Sequence, residues 1–328
     1  MLYLHGVGHF HPSTELTNLF FEDLDIGTSE EWILDRTGIR SRRTVLPLGY
    51  IVETKNRDVR AAAEVVEHSN ADLGARAATM ALARAGIGRG DIGLVIAGGS
   101  VPDFGTPAEA CIIAHNLDIE APGLDMRSAC TSFGAILWNL SLMIPNKLPP
   151  YILVVVTETV TRSVDYGDRS SAILWGDGAA AAVVSTSVPG AATIENCTFN
   201  SKPKGHGKVV VPWAGYFAQE GQAVQGFAIR TTSKLLTSLQ THSRRPPVGR
   251  FFFIGHQANY RMLENVVRRC KIKEDDHLFN VVDYGNTATA GSPAVLSSHW
   301  ESFNAGDQVA IVGVGAGFSF ASSLIQFR

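Results

Sequence analysis

Cysteine is scarce in this chain. Of 328 residues only 4 are cysteine, and Cys111, Cys130, Cys197 and Cys270 lie far apart with no Cys-x-x-Cys pair. That excludes a disulfide framework, gives no support to a zinc ribbon and suits a reducing compartment. No surplus of either charge exists: 28 Lys and Arg face 31 Asp and Glu, a net charge of -3. Nothing therefore draws the protein to polyphosphate or anionic lipid, and nucleic-acid binding is not supported. No window reaches the roughly 18 apolar residues of a membrane span. Met1 to Phe10 also lacks a basic start leading into an apolar stretch, so the expected location is the cytoplasm, with no membrane partner.

What is present is a core. The sequence is 45% hydrophobic and 18% charged, with 32 Gly and 14 Pro, the composition of a compact fold with many tight turns. Apolar runs bounded by Gly and Asp alternate with segments of helical period, which predicts an α/β architecture. Helices are expected at 71–85, 107–116 and 131–143, with strands at 92–97, 123–126 and 151–157 and two more around Gly176-Asp177-Gly178. The stretch 187–225, with Lys202, Lys204 and Lys208 close together, reads as irregular excursion and linker. After it come helices at 227–242, 260–271 and 293–303. Strands are expected at 251–255, 279–282, 308–314 and 319–326. Each half runs through its elements in a similar order, which suggests an internal duplication with halves 1–186 and 187–328.

Cys130 follows a short strand and precedes a helix-forming run. At such a turn the free N–H groups and the helix dipole favour the thiolate, making a nucleophile of a residue type that is more often a small buried hydrophobe. His256 ends the strand Phe251–Gly255, and Asn286 lies in Tyr284-Gly285-Asn286-Thr287. Either alone reads as a capping or core residue. All three, however, fall at strand-to-helix junctions, and in α/β sheets these open on the edge where ligands bind.

The segments Asp125-Met126-Arg127-Ser128-Ala129-Cys130-Thr131-Ser132-Phe133, Trp175-Gly176-Asp177-Gly178-Ala179, His256-Gln257-Ala258-Asn259, Gly285-Asn286-Thr287 and Gly313-Val314-Gly315-Ala316-Gly317-Phe318 occur in one order along the chain. Together they resemble the motif set of β-ketoacyl synthase III enzymes, within the thiolase-fold condensing enzymes. The resemblance implies two related halves forming a five-layered α-β-α-β-α sandwich, usually a homodimer. It further implies that Cys130 takes an acyl group from a thioester, while His256 and Asn286 hold the second thioester and its developing enolate. A soft nucleophile suits acyl transfer, and donors aimed at an enolate oxygen suit carbanion formation. The backbone N–H groups of Cys130 and Ala316 would form the oxyanion hole. Trp32, Arg36, Arg169 and Asn259 would line the way in for a phosphopantetheine arm. The carrier would be an acyl carrier protein, with no further cofactor and no metal.

Two departures bear on specificity. Ala316 stands where the family often has a middle glycine, and Thr106 replaces a bulky aromatic that limits the acyl pocket. With a longer segment at 45–66, these suggest a ketosynthase of polyketide or secondary metabolism, one that joins two β-ketoacyl chains and lets the product close to an α-pyrone. The alternatives are a chain-initiating synthase using acyl-CoA and malonyl-carrier, an acyltransferase to an alcohol or amine, and a non-catalytic carrier-binding homologue. His5, His9 and His11 have no acidic or cysteine partner nearby, so metal binding is not expected. The pattern 313–317 leads from a strand into another strand and is no dinucleotide fingerprint. Asp177 reads as a turn carboxylate, and Arg244, Arg245, Arg261, Arg268 and Arg269 form a candidate basic patch for an acidic carrier.

Overall fold

The computed structural model describes residues 1–243 and 249–328. Arg244 and Arg245 of the candidate basic patch lie outside the described residues. Nine strands form one sheet: β1 (Leu2–Phe10), β2 (Ile92–Gly98), β3 (Gly123–Asp125), β4 (Tyr151–Glu158), β5 (Gly178–Ser185), β6 (Ala192–Asn200), β7 (Phe251–Gly255), β8 (Gln308–Gly315) and β9 (Ser319–Phe327). Their order is β7-β8-β9-β6-β1-β5-β4-β2-β3. Pairings β2/β3, β2/β4 and β7/β8 are parallel, and such strands need helical crossovers. Seven helices matter here: α1 (Glu30–Thr37), α2 (Asn70–Ala85), α3 (Glu109–Asn116), α4 (Ser132–Leu142), α5 (Gly221–His242), α6 (Tyr260–Cys270) and α7 (Gly291–Ser298).

The period-2 alternation of each strand sorts its side chains onto two faces. Ile152, Val154 and Val156 of β4, with Phe252 and Ile254 of β7, pack on Phe133, Ile136 and Leu137 of α4 and on Ala294, Val295 and Leu296 of α7. Leu153 and Val155 point the other way, onto α2 and α3. Phe253, Ala310 and Val312 likewise face α5 and α6. The layers are therefore α2 and α3, strands, α4 and α7, strands, then α5 and α6: the expected five-layered thiolase-like sandwich. Strands buried on both faces are why runs such as Tyr151–Thr157 carry almost no polar residue.

Several local expectations are corrected. The stretch after 187 contains β6, whose burial alternates along Glu195–Asn200, so no continuous apolar run marks it. Around Asp177 there is one strand, β5; Arg169–Ala172 is a short helix and Trp175 makes only an isolated bridge to Asn286. Residues 279–282 are not a strand, since Val281–Tyr284 is a helical turn. Its start is held by Gln257, whose Oε1 accepts from the N–H groups of Asn280 (3.0 Å) and Val281 (3.2 Å).

Candidate active site

Cys130 sits in the tight turn Ala129–Thr131 that opens α4. Ala129 has φ of +46°, a left-handed conformation costly for alanine and kept only where the surroundings enforce it. The turn is tied to a second one across the sheet. Thr131 Oγ1 and Ser319 Oγ are 2.8 Å apart, and Ser319 Oγ donates to the carbonyl of Ala316 at 2.9 Å. The N–H groups of Cys130 and Ala316 both reach the Cys130 sulfur, the arrangement that an oxyanion hole beside a nucleophile requires. Glycine is needed at 315, where a Cβ would lie 3.1 Å from Cys130 Cβ and 3.3 Å from Cys130 N, and at 317, where φ is +68°. Ala316 has neither constraint, so its methyl leaves the turn intact.

His256 leaves the end of β7 and Asn286 stands between the turn at 281–284 and α7. Both are 6% exposed. Asn286 is fixed by its backbone, which donates to Leu174 O (2.8 Å) and accepts from Gly176 N–H (3.1 Å). Its Oδ1 accepts from the N–H of Ala288 at 3.0 Å, which leaves the Nδ2 group as the donor available to the cavity. A cavity of about 400 Å³ is lined by Cys130, His256, Asn286 and Ala316 together, and also by Trp32, Arg36 and Asn259. Val209, Phe217 and Gln219 also line it, so part of the stretch read as linker is cavity wall. Phe217 packs edge-on against Trp175, with ring centroids 4.5 Å apart.

Electrostatically the site differs from the sequence reading. The helix end and N–H groups do face the sulfur, yet burial outweighs them and pushes the Cys130 thiol up to about 12, with the Glu158 carboxyl adding to the rise. Burial therefore favours the thiol over the thiolate that the turn alone suggests. Burial also holds His256 down at about 4, so its imidazole is neutral at pH 7 and able to accept a proton.

The guanidinium carbons of Arg36 and Arg169 lie 4.8 and 5.0 Å from the Trp32 ring centroid; Arg36 lines the cavity with Trp32, whereas Arg169 does not. Arg169 also donates to Gly27 O. Asn259 caps α6, its Oδ1 accepting from Met262 N–H at 3.2 Å. Thr106 is exposed and does not line this chain's own cavity. Asp177 is buried and accepts from Val45 N–H (2.9 Å) and Thr161 N–H (3.0 Å). His9 bonds Ser297 Oγ (2.8 Å) and His11 the carbonyl of Asp177 (3.1 Å). Arg261 donates to the carbonyl of Asp35 (2.9 Å), fastening α6 to α1. Sequence reasoning passed over Glu158. Its only signal there is a carboxylate closing an otherwise apolar strand, Val154-Val155-Val156-Thr157-Glu158.

Residues 124–203 match the family model for 3-oxoacyl-[acyl-carrier-protein] synthase III, and residues 251–327 match the model of that family's C-terminal part. The β-ketoacyl-[acyl-carrier-protein] synthase III of Sulfurovum sp. (strain NBC37-1) is 30% identical over 341 residues, spanning 98% of this chain and 94% of its own. The crystal structure of 3-oxoacyl-[acyl-carrier-protein] synthase III from Aquifex aeolicus VF5 has the same fold, with a TM-score of 0.87 over 100% of both chains at 24% identity. The priming β-ketosynthase from the R1128 polyketide biosynthetic pathway is similar at a TM-score of 0.83 and 28% identity, over 100% of this chain and 96% of that one. Identity maintained over nearly the whole length settles the membership: the chain belongs to the β-ketoacyl-acyl carrier protein synthase III family of thiolase-fold condensing acyltransferases.

Proposed function

We propose that the protein is a ketosynthase that carries one acyl chain on Cys130 and joins it to a second thioester in a Claisen-type step, the chains arriving on acyl carrier protein. The nucleophile comes from the half 1–186, and the histidine and asparagine from 187–328. One observation carries the reading: Cys130, His256 and Asn286 line the same cavity while two N–H groups reach the sulfur. In the first half-reaction the thiol attacks the donor carbonyl and the charge collects on an oxygen facing those N–H groups. The new S–C bond replaces the carrier's, and the proton released by Cys130 leaves on the carrier thiol. A neutral imidazole is suited to moving that proton as attack proceeds. In the second, the other thioester becomes a carbanion by giving its α-proton to the His256 imidazole or, for a malonyl unit, by losing CO₂, and attacks the acyl-Cys130 carbonyl. The C–C bond forms, the S–C bond breaks, and the sulfur takes back a proton, from the imidazole in the first case and from solvent in the second.

Incubation with an acyl carrier thioester should add the acyl mass to Cys130, and a second thioester should then discharge it as a new carbon–carbon product. An unmodified Cys130 under turnover conditions overturns the reading. The narrower reading is that two β-ketoacyl chains are joined and close to an α-pyrone in secondary metabolism. The alternative is chain initiation, from an acyl-CoA primer and a malonyl unit that loses CO₂. Product mass separates the two.

We also propose a cytoplasmic homodimer. The sheet ends on β3, whose Leu124 is 42% exposed, and an apolar edge strand left open to water is a surface that proteins normally cover. Sedimentation should give twice the chain mass of 35.2 kDa. A monomer at micromolar concentration contradicts it.

A further inference from the structure

Glu158 closes β4 and is 0% exposed, and the proposed reaction makes no use of its carboxyl group. Three donors from two other segments converge on it. Oε2 accepts from the N–H of Ser100 (3.1 Å), and Oε1 from the Ser100 hydroxyl (2.9 Å) and the N–H of Thr289 (3.2 Å). Ser100 lies just past β2. Thr289 belongs to the turn Ala288–Ala290 that follows Asn286. Thr289 Oγ1 in turn accepts from the N–H of Phe133 at 3.0 Å, in the first turn of α4, three residues after Cys130. A continuous polar chain thus runs from Ser100 through Glu158 and Thr289 to the helix that bears the cysteine.

The segment so held needs holding. Ala288, whose N–H is the group gripping Asn286 Oδ1, has φ of +41°, a backbone state that alanine leaves unless its surroundings oppose it. We propose that Glu158 is a positioning residue that keeps the Asn286 turn in register with the Cys130 turn, an assignment that rests on the ketosynthase reading. A group with two acceptor oxygens is what the place demands, since an amide presents one oxygen and turns an N–H on the third donor. Burial pushes the carboxyl up to about 8, against the pull of its hydrogen bonds and with Glu109 adding to the rise.

The two half-reactions depend on this chain unequally. The N–H groups of Cys130 and Ala316 that serve acyl transfer are placed by Thr131 and Ser319, not by Glu158. Asn286 is what the chain aligns. The test compares wild type, Glu158→Ala and Glu158→Gln by intact mass for acyl-Cys130 formation from an acyl carrier thioester, and by product formation for condensation. For Glu158→Ala, condensation should fall about 100-fold, the cost of a misplacement near 1 Å, with acylation changed about threefold or less. Glu158→Gln, which keeps one oxygen for Thr289, should restore condensation to within about tenfold of wild type. Equal loss of both half-reactions, or an alanine variant that condenses at the wild-type rate, overturns the assignment. Should the alanine variant not fold, the glutamine variant decides alone: a condensation loss larger than its acylation loss supports the role, and equal losses refute it. A wild-type protein that gains no acyl mass instead removes the ketosynthase reading, and this assignment with it.

Discussion

Cys130→Ala is expected to end covalent acyl capture and to lower product formation at least about 1,000-fold, because among the described residues lining the cavity Cys130 carries the one thiol. The cavity walls and the two N–H groups remain, so binding of the donor thioester should change little while turnover disappears, the signature of a residue that acts in the transition state. Cys111 serves as the control. It is exposed and its sulfur bonds only the carbonyl of Gly123, so Cys111→Ala should retain both adduct and product. The electrostatics add a sign that can be checked. The thiol is raised to about 12 by burial, so at neutral pH Cys130 presents a protonated sulfur. Alkylation of Cys130 by a small haloacetamide should keep climbing with pH beyond 9, where an ordinary cysteine levels off. Product formation by Cys130→Ala above a tenth of wild type, or an alkylation plateau near pH 8.5, contradicts this account.

Much of this was legible in the residues. Strands buried on both faces announce themselves as unbroken apolar runs, which is why β2, β4 and β8 stand out, and His256 directly follows one such run, β7, whereas Cys130 follows the short, half-exposed β3 and Asn286 a helical turn. Elements that face water on one side were hidden. β6 alternates Ile194, Glu195, Asn196, Cys197 and looks like loop chemistry until β9 is found beside it. The apolar residues at 279–282 suit a strand, whereas the amide of Gln257, more than twenty residues away in sequence, decides the matter by capping the helical turn Val281–Tyr284. Protonation was misread for a similar reason. A sequence shows the helix end that favours a thiolate but not the desolvation that outweighs it. Glu158 stayed invisible because its meaning lies in Ser100 and Thr289, which no local pattern connects.

Asn286 provides the second large effect and the sharper discrimination. With Oδ1 committed to Ala288 N–H, the Nδ2 group is the donor offered to an oxygen in the cavity. Asn286→Ala removes it, and condensation should drop about 100- to 1,000-fold, the usual cost of losing one donor to a developing oxyanion, with acyl-Cys130 still forming. Asn286→Asp is the informative comparison. It keeps the acceptor for Ala288 and is the same size, but it brings a negatively charged oxygen to the place where enolate charge collects. It should be worse than alanine, although by shape alone it is the milder change. An aspartate variant more active than the alanine variant refutes the donor role. His256→Ala should show the same split between half-reactions. Its pH dependence is fixed by burial: with the imidazole held at about 4, the neutral form persists as pH falls, so wild-type condensation should stay level through pH 6.5 and decline only near pH 4 to 5. An acid limb centred at pH 6.5 requires a solvated histidine, which the burial of His256 does not allow.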